Sequence, residues 1–276
     1  MPQALQRSPN GPSTNIIGSP FIELQSVDST NNYARQQIHA GLAQHGQAFF
    51  AHDQVAGKGQ RGKVWLAEPG QNIILSIVVD PAALKVDQQF QLNACVALVL
   101  LDLFKKYGGD ETRIKWPNDL YWQDRKAGGV LIESGVRSRS ERTPLEESGA
   151  STWEWLIVGI GININQTSFP SSLPNPVSLK QITGKTFDPV ELAIELCAIL
   201  ETRFSQLISI GFEKIYEDYL SGLYKKGELV KFKKDNRIFE AIVRTVTTSG
   251  KLVVQHTIEE EFDFGEVEWM ASPTRY

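Results

Sequence analysis

Three glycines and three cations fall within seven residues at Gly57-Lys58-Gly59-Gln60-Arg61-Gly62-Lys63, and Trp65 follows two positions on. Glycine lets a backbone approach a ligand closely. Lysine and arginine bring charge, and the exposed amides of such a turn can form an anion nest. The stretch suits phosphate handling; a flexible basic hairpin tip is the plain alternative. Two more lysines stand in informative surroundings. Lys115 opens the run Lys115-Trp116-Pro117-Asn118-Asp119-Leu120, and Lys126 comes just before Gly128-Gly129, where bare backbone admits a ligand. A further polar cluster, Asp28-Ser29-Thr30-Asn31, precedes a helical pattern. Capping that helix would use one of these side chains and leave the others to be explained.

Two familiar patterns fail on context. Gly57, Gly59 and Gly62 spell a dinucleotide-binding fingerprint, but turn residues Glu68-Pro69-Gly70 follow where that motif needs a helix. Thr183-Gly184-Lys185-Thr186 has Leu179 where a phosphate-binding P-loop needs its first glycine.

The elements that must position these residues follow from pattern. Residues 21–24 and 48–52 read as strands, the second feeding Gln54 into the glycine-rich loop, and a helix runs to about His39. Residues 72–79 are apolar and β-branched, as in a buried strand. Apolar residues recur at helical spacing over 90–107. Pro117 pushes Trp116 towards extended backbone, so a strand ends there with Lys115, Asn118 and Asp119 at its edge. Residues 124–133 read as a turn into a strand, 137–153 as an exposed, mobile connector, and 156–165 as a buried strand carrying Asn163. Amphipathic helices are expected at 188–207 and 212–220. From Gly227 short strands alternate with turns, at 229–232, 239–246, 252–255 and 262–265. The expected division is a disordered tail (1–14), an α+β domain with a mixed sheet packed with helices (15–222), and a small C-terminal β-barrel (223–276).

Bulk properties narrow the class. The 276 residues carry a net charge of −4 with 41% hydrophobic content, which suits a globular protein and argues against general nucleic-acid binding. Cys95 and Cys197 sit in apolar runs, as core residues do, and the four histidines lack ligand spacing, so no protein cage for a metal is expected. The start is polar, unlike a secretory signal, and no apolar run is long enough to span a bilayer, so a cytoplasmic, non-membrane enzyme is expected.

Together these pieces resemble the biotin–protein ligases, the biotin–[acetyl-CoA-carboxylase] ligases, over about residues 20–270. The resemblance rests on five stretches in the family's order: Asp28-Ser29-Thr30-Asn31; Gln54 with the glycine-rich loop and Trp65; Lys115 to Leu120; Arg125-Lys126 with Gly128-Gly129 and Glu133; and Gly159-Ile160-Gly161-Ile162-Asn163. It implies a class II synthetase-like catalytic fold with an SH3-like C-terminal barrel. It also implies activation of biotin by MgATP to biotinyl-5′-AMP, then transfer to a lysine of a biotin carboxyl carrier domain.

By the same resemblance, Ser29, Thr30, Asn31, Gln54, Gly57, Lys58, Gly59, Gln60, Lys126 and Gly129 would line the biotin. Lys58, Arg61, Trp65, Lys115, Asn118 and Asn163 would lie on the ATP side. Lys126, Arg61 and Asp119 would be catalytic, with Asp119 helping to hold Mg²⁺ or orient Lys115. The loop departs from many members, which carry arginine where this chain has Lys58 and Gln60. Few residues precede the first strand, which is the ligase-only pattern without a DNA-binding domain. An exposed strand edge can pair with a second copy, giving a homodimer, or with the acceptor. A lipoate or octanoate ligase or transferase of the same fold, or a non-catalytic biotin sensor, are the competing readings.

Overall fold

The computed structural model describes residues 15–80, 84–137 and 152–270. The expected tail at 1–14 and most of the 137–153 connector lie outside these residues. In chain order the elements are β1 (Phe21–Val27), α1 (Thr30–His39), β2 (Ala48–Gln54), β3 (Asn72–Val79), α2 (Gln89–Gly108), β4 (Thr112–Lys115) and β5 (Asp119–Trp122). There follow β6 (Arg125–Arg137), β7 (Thr152–Asn163), α3 (Leu179–Thr183), α4 (Pro189–Ser209) and α5 (Phe212–Ser221). The last five strands are β8 (Leu229–Lys234), β9 (Arg237–Val246), β10 (Leu252–Gln255), β11 (Glu259–Phe262) and β12 (Glu268–Trp269).

Strands β1 to β7 form one mixed sheet in the order β1-β2-β3-β7-β6-β5-β4. Only β1 and β2 run parallel; the other pairs are antiparallel. Every residue of β3 is buried, as its β-branched composition requires of a strand covered on both faces. On one face the apolar helices α2 and α4 pack over Leu75, Ile77, Val158, Ile160 and Ile162, forming the main core. The other face is only partly covered. There α1 contributes Ala34 and Ile38 to a small cluster with Phe49, Val78 and Ile157.

Strands β8 to β12 form a second, antiparallel sheet in the order β11-β10-β9-β8-β12, consistent with an SH3-like module. The strand expected at 262–265 lies instead at Glu259–Phe262, and a turn closed by Glu266 N–H to Asp263 O occupies 263–266. Register explains the difference: Phe262 pairs with Leu252 at the end of β10, so no ladder partner remains beyond it. Both sheets meet at the residues around Pro117. Trp116 Nε1 donates to Gly250 O at 2.9 Å, and the fully buried Tyr219 hydroxyl donates to Pro117 O at 2.8 Å.

The two rejected motifs also find structural explanations. Gly184 ends α3 in left-handed backbone (φ 71°), a helix C-cap, while Ser178 and Gln181 form the capping box at its start. The glycine-rich loop closes as a hairpin, through Gly59 N–H to Lys63 O at 2.7 Å and Trp65 N–H to Gly57 O at 3.0 Å. A single 3₁₀ turn at Gln60–Gly62 stands where the dinucleotide fingerprint needs an α-helix.

Tyr219→Phe would leave the Pro117 carbonyl without its donor. It should destabilise the protein by about 1–2 kcal/mol, read as a lower urea midpoint at unchanged slope.

Candidate functional site

On the face of the sheet that carries α1, β6 and β7 are floored by glycine. A Cβ on Gly159 would stand 2.4 Å from Asn31 Oδ1, and one on Gly161 2.5 Å from the Trp65 ring. Both side chains therefore lie directly on the sheet backbone, which only glycine permits. Gly161 pairs with Gly129 on β6, and Gly129 pairs with Asp119 on β5. A Cβ on Gly129 would meet Asp119 Oδ1 at 2.9 Å and Lys126 Nζ at 3.4 Å. Bare backbone thus makes room for an ion pair as well as an aromatic ring.

That pair joins Lys126 Nζ to Asp119 Oδ1 at 2.6 Å, with both side chains about one-third exposed. Lys126 Nζ also lies 6.0 Å from the Trp65 ring centroid. The Trp65 indole N–H is buried and meets no acceptor among the described residues. An unpaired buried donor is costly, so a partner supplied by a ligand would be favoured there. Asn163 holds the backbone behind the lysine: its amide donates to Val177 O at 3.1 Å and to Lys126 O at 3.4 Å.

At the other end stands the N-terminus of α1. Ser29 is its N-cap, yet the Ser29 hydroxyl caps nothing. The cap comes from another strand: Gln54 Oε1 accepts from Thr30 N–H at 2.9 Å. Ser76 Oγ lies 2.7 Å from Thr30 Oγ1 and 2.6 Å from Asn31 Oδ1. A hydroxyl carries one proton, and the amide oxygen can only accept, so Ser76 donates to Asn31. Asn31 Nδ2 in turn donates to Glu133 Oε2 at 2.9 Å, and Arg35 Nη2 holds the other Glu133 oxygen at 2.7 Å. Asn31 is thus committed to the fold, whereas the Ser29 hydroxyl, on a residue only 1% exposed, remains free of protein partners among the described residues.

The loop between these ends is anchored three times. Lys58 Nζ donates to Asn32 Oδ1 on α1. Gln60 Nε2 donates to Asn118 Oδ1 and to Val130 O, both at 2.9 Å. Arg61, in left-handed backbone (φ 56°), donates through Nη1 to Gly265 O at 2.9 Å. The loop residues, with Leu131 and Glu133, line a cleft.

Lys115 Nζ lies 3.2 Å from Tyr121 Oη and faces the rings of Tyr121 and Trp269. Burial pushes its ammonium down to about 8; Asp119 opposes this, and Lys126 and Lys63 add to it.

Of the residues expected from sequence, Lys126, Asp119, Gly129, Trp65 and Asn163 gather at one end of the bare face, with Lys115 close by. Ser29, Thr30, Asn31 and Gln54 gather at the other, and Gly57 lies between the two groups, bonded to Trp65 and packed against Gln54. Lys58 and Arg61 belong to the loop, but their charged groups bond Asn32 and Gly265 rather than Lys126 or Asp119. Asn118 is turned inward, between Asn93, Gln60 and Val130. Sequence reasoning passed over Ser76, Arg35 and the bond Glu133 makes to Asn31. A lone hydroxyl inside the apolar run of β3 is the signal for Ser76, since buried polar groups need partners.

Residues 23–143 match the biotin/lipoate A/B protein ligase family. The chain is 30% identical over 240 residues to the biotin–[acetyl-CoA-carboxylase] ligase of Paracoccus denitrificans, covering 84% of this chain and 92% of that protein. It is 28% identical over 219 residues to the bifunctional ligase/repressor BirA of Bacillus spizizenii, covering 77% of this chain. The chain spans 45% to 63% of the length of the bifunctional relatives it matches. Among solved structures, the Aquifex aeolicus biotin protein ligase in complex with biotin and ATP has a TM-score of 0.73 at 25% identity, covering 91% of this chain and 98% of that one.

Gly161→Ala should displace Trp65 and cost about 1–3 kcal/mol by overpacking. In a Trp65→Ala background the same change should cost clearly less, so a double-mutant cycle by urea denaturation checks the contact. Equal costs in both backgrounds would place the clash elsewhere.

Proposed function

Because the chain belongs to the biotin–protein ligases of the biotin/lipoate A/B protein ligase family, we propose that it activates biotin with MgATP to biotinyl-5′-AMP and then transfers biotin to a lysine of a carrier domain. The observation that carries this reading is the Lys126–Asp119 pair set over Gly129 and beside Trp65.

The reaction must bring two anions together. A biotin carboxylate attacks the α-phosphate, and pyrophosphate leaves. Lys126, beside bare backbone, is the cation that meets both and offsets their repulsion. Holding them side by side turns an encounter into a local event. Ser29 offers its free hydroxyl to the neutral ureido head, and Thr30 with Gln54 fixes where that hydroxyl stands. Trp65 and Gly161 offer a flat wall to adenine, and Lys115 faces the phosphates. In the second step a carrier lysine attacks the acyl carbon, AMP leaves, and an amide forms. The hairpin loop keeps water from the mixed anhydride between the two steps.

Among the described residues no group of three or more His, Cys, Asp or Glu side chains could hold a metal. Magnesium would therefore come with the nucleotide, meeting Asp119, and would supply charge neutralisation at the phosphates. The Paracoccus relative is named for acetyl-CoA carboxylase; a biotin carboxyl carrier domain of that kind is the acceptor we assign.

Purified protein should catalyse biotin-dependent exchange of pyrophosphate into ATP. Exchange with lipoate and none with saturating biotin would sink the reading. Lys126→Ala should lower adenylation by about 10²–10³-fold, with little change in unfolding midpoint, since a partly exposed ion pair contributes little stability. The pH dependence follows from Lys115. Its ammonium form attracts phosphate, so kcat/KM for ATP should fall as pH rises through about 8. A profile flat well above that pH would remove Lys115 from the phosphate contacts.

A further inference from the structure

The last strand of the C-terminal sheet reaches the catalytic sheet at one lysine. Trp269 is on β12, a two-residue strand that pairs with β8 through Glu268↔Lys233 and Trp269↔Phe232. Its ring centroid lies 5.4 Å from Lys115 Nζ. On the other side Lys115 Nζ lies 4.7 Å from the Tyr121 centroid. Tyr224 bridges the two, 5.2 Å from Tyr121 and 5.8 Å from Trp269. Two aromatic rings, one from each sheet, therefore face one ammonium, and a third ring links them.

We propose that Trp269 is a positioning residue for Lys115, holding the ammonium by its ring face so that it addresses the nucleotide phosphates. The proposal rests on the adenylation reading above for the purpose of that lysine, and on the geometry for its placement.

Two observations and one general preference favour the ring face over simple packing. The Trp269 indole N–H is buried and has no acceptor among the described residues, so its polar handle does not explain the residue. Tryptophan offers a cation the strongest aromatic face. Lys115 has no ion-pair partner within reach among the described residues, although Asp119 is its cross-strand neighbour, because the Asp119 carboxylate is turned to Lys126. A long lysine side chain without an ion pair loses rotamer freedom when ordered, and the rings offset that loss. Gly265, four residues before Trp269, accepts from Arg61 of the glycine-rich loop. The same short segment of the C-terminal sheet thus touches both Arg61 and Lys115.

Trp269→Leu keeps an apolar side chain and removes the face; Trp269→Phe keeps a weaker face. In biotin-dependent pyrophosphate exchange, Trp269→Leu should lower kcat/KM for ATP by roughly threefold to thirtyfold. The KM for biotin should hold, and Trp269→Phe should recover most of the loss. Reductive methylation followed by mass spectrometry should label Lys115 faster in Trp269→Leu than in the unmutated protein.

Should the leucine variant fail to fold, the unmutated protein decides by NMR. The ε-protons of Lys115, assigned through Lys115→Arg, should be displaced upfield by the rings. Ordinary lysine shifts, an unchanged labelling rate in a folded leucine variant, or equal losses towards biotin and ATP without rescue by phenylalanine would each overturn the proposal. Absence of pyrophosphate exchange in the unmutated protein would sink the adenylation reading instead, while the labelling and the shifts still decide where Lys115 is held.

Discussion

The site depends on a strand that carries no side chains where it matters. Had β7 an alanine at 159 or 161, Asn31 or Trp65 could not rest on the sheet. Displacing Asn31 would strip Ser76 and Glu133 of their shared partner, and displacing Trp65 would open the wall beside Lys126. The bare face is therefore more than a hollow for a ligand. It is the surface against which the first helix and the glycine-rich loop are both set. The cost of glycine in a strand is a loss of packing and of chain stiffness. Here β7 offsets it by lying at the centre of a seven-stranded sheet, between β3 and β6, with its odd-facing glycines interleaved with the buried Val158, Ile160 and Ile162.

A second dependence links motifs far apart in the chain. The N-terminus of α1 is capped by Gln54 from β2, and Thr30 and Asn31 are held by Ser76 from β3. Polar residues next to a helix start are ordinarily read as local caps. Here the cap comes from across the fold, and the N-cap residue itself, Ser29, has a hydroxyl without a protein partner among the described residues. The polar cluster thus divides its labour between assembling the site and facing it.

Much of this was legible in the sequence, and the rest was not, for identifiable reasons. Apolar periodicity located β3, α2, α4 and α5, since burial sets those patterns directly. The glycines of 128–129 and 159–161 marked close approach, and the structure says what approaches. Long-range polar pairing was not legible: Asn31 with Glu133 and Lys115 with Trp269 join residues whose proximity follows only from topology. Both limits of β11 were misplaced because they are set by its register with the partner strand, which composition does not encode. The neutral Gln60 marked a departure from the family's pattern, but only the structure gives it a role, bonding Asn118 and Val130.

That role sets how the loop responds to its medium. Among the described residues its three attachments run from Lys58 to an asparagine, from Gln60 to an asparagine and a carbonyl, and from Arg61 to a carbonyl. None is an ion pair. Dissolved ions screen charge against charge and leave bonds to neutral acceptors largely untouched. Raising ionic strength therefore weakens the pull of the loop's cations on any anion without loosening the loop itself. Charge and anchorage are separable in this loop: the first is electrostatic and screened by salt, the second is directional and indifferent to it.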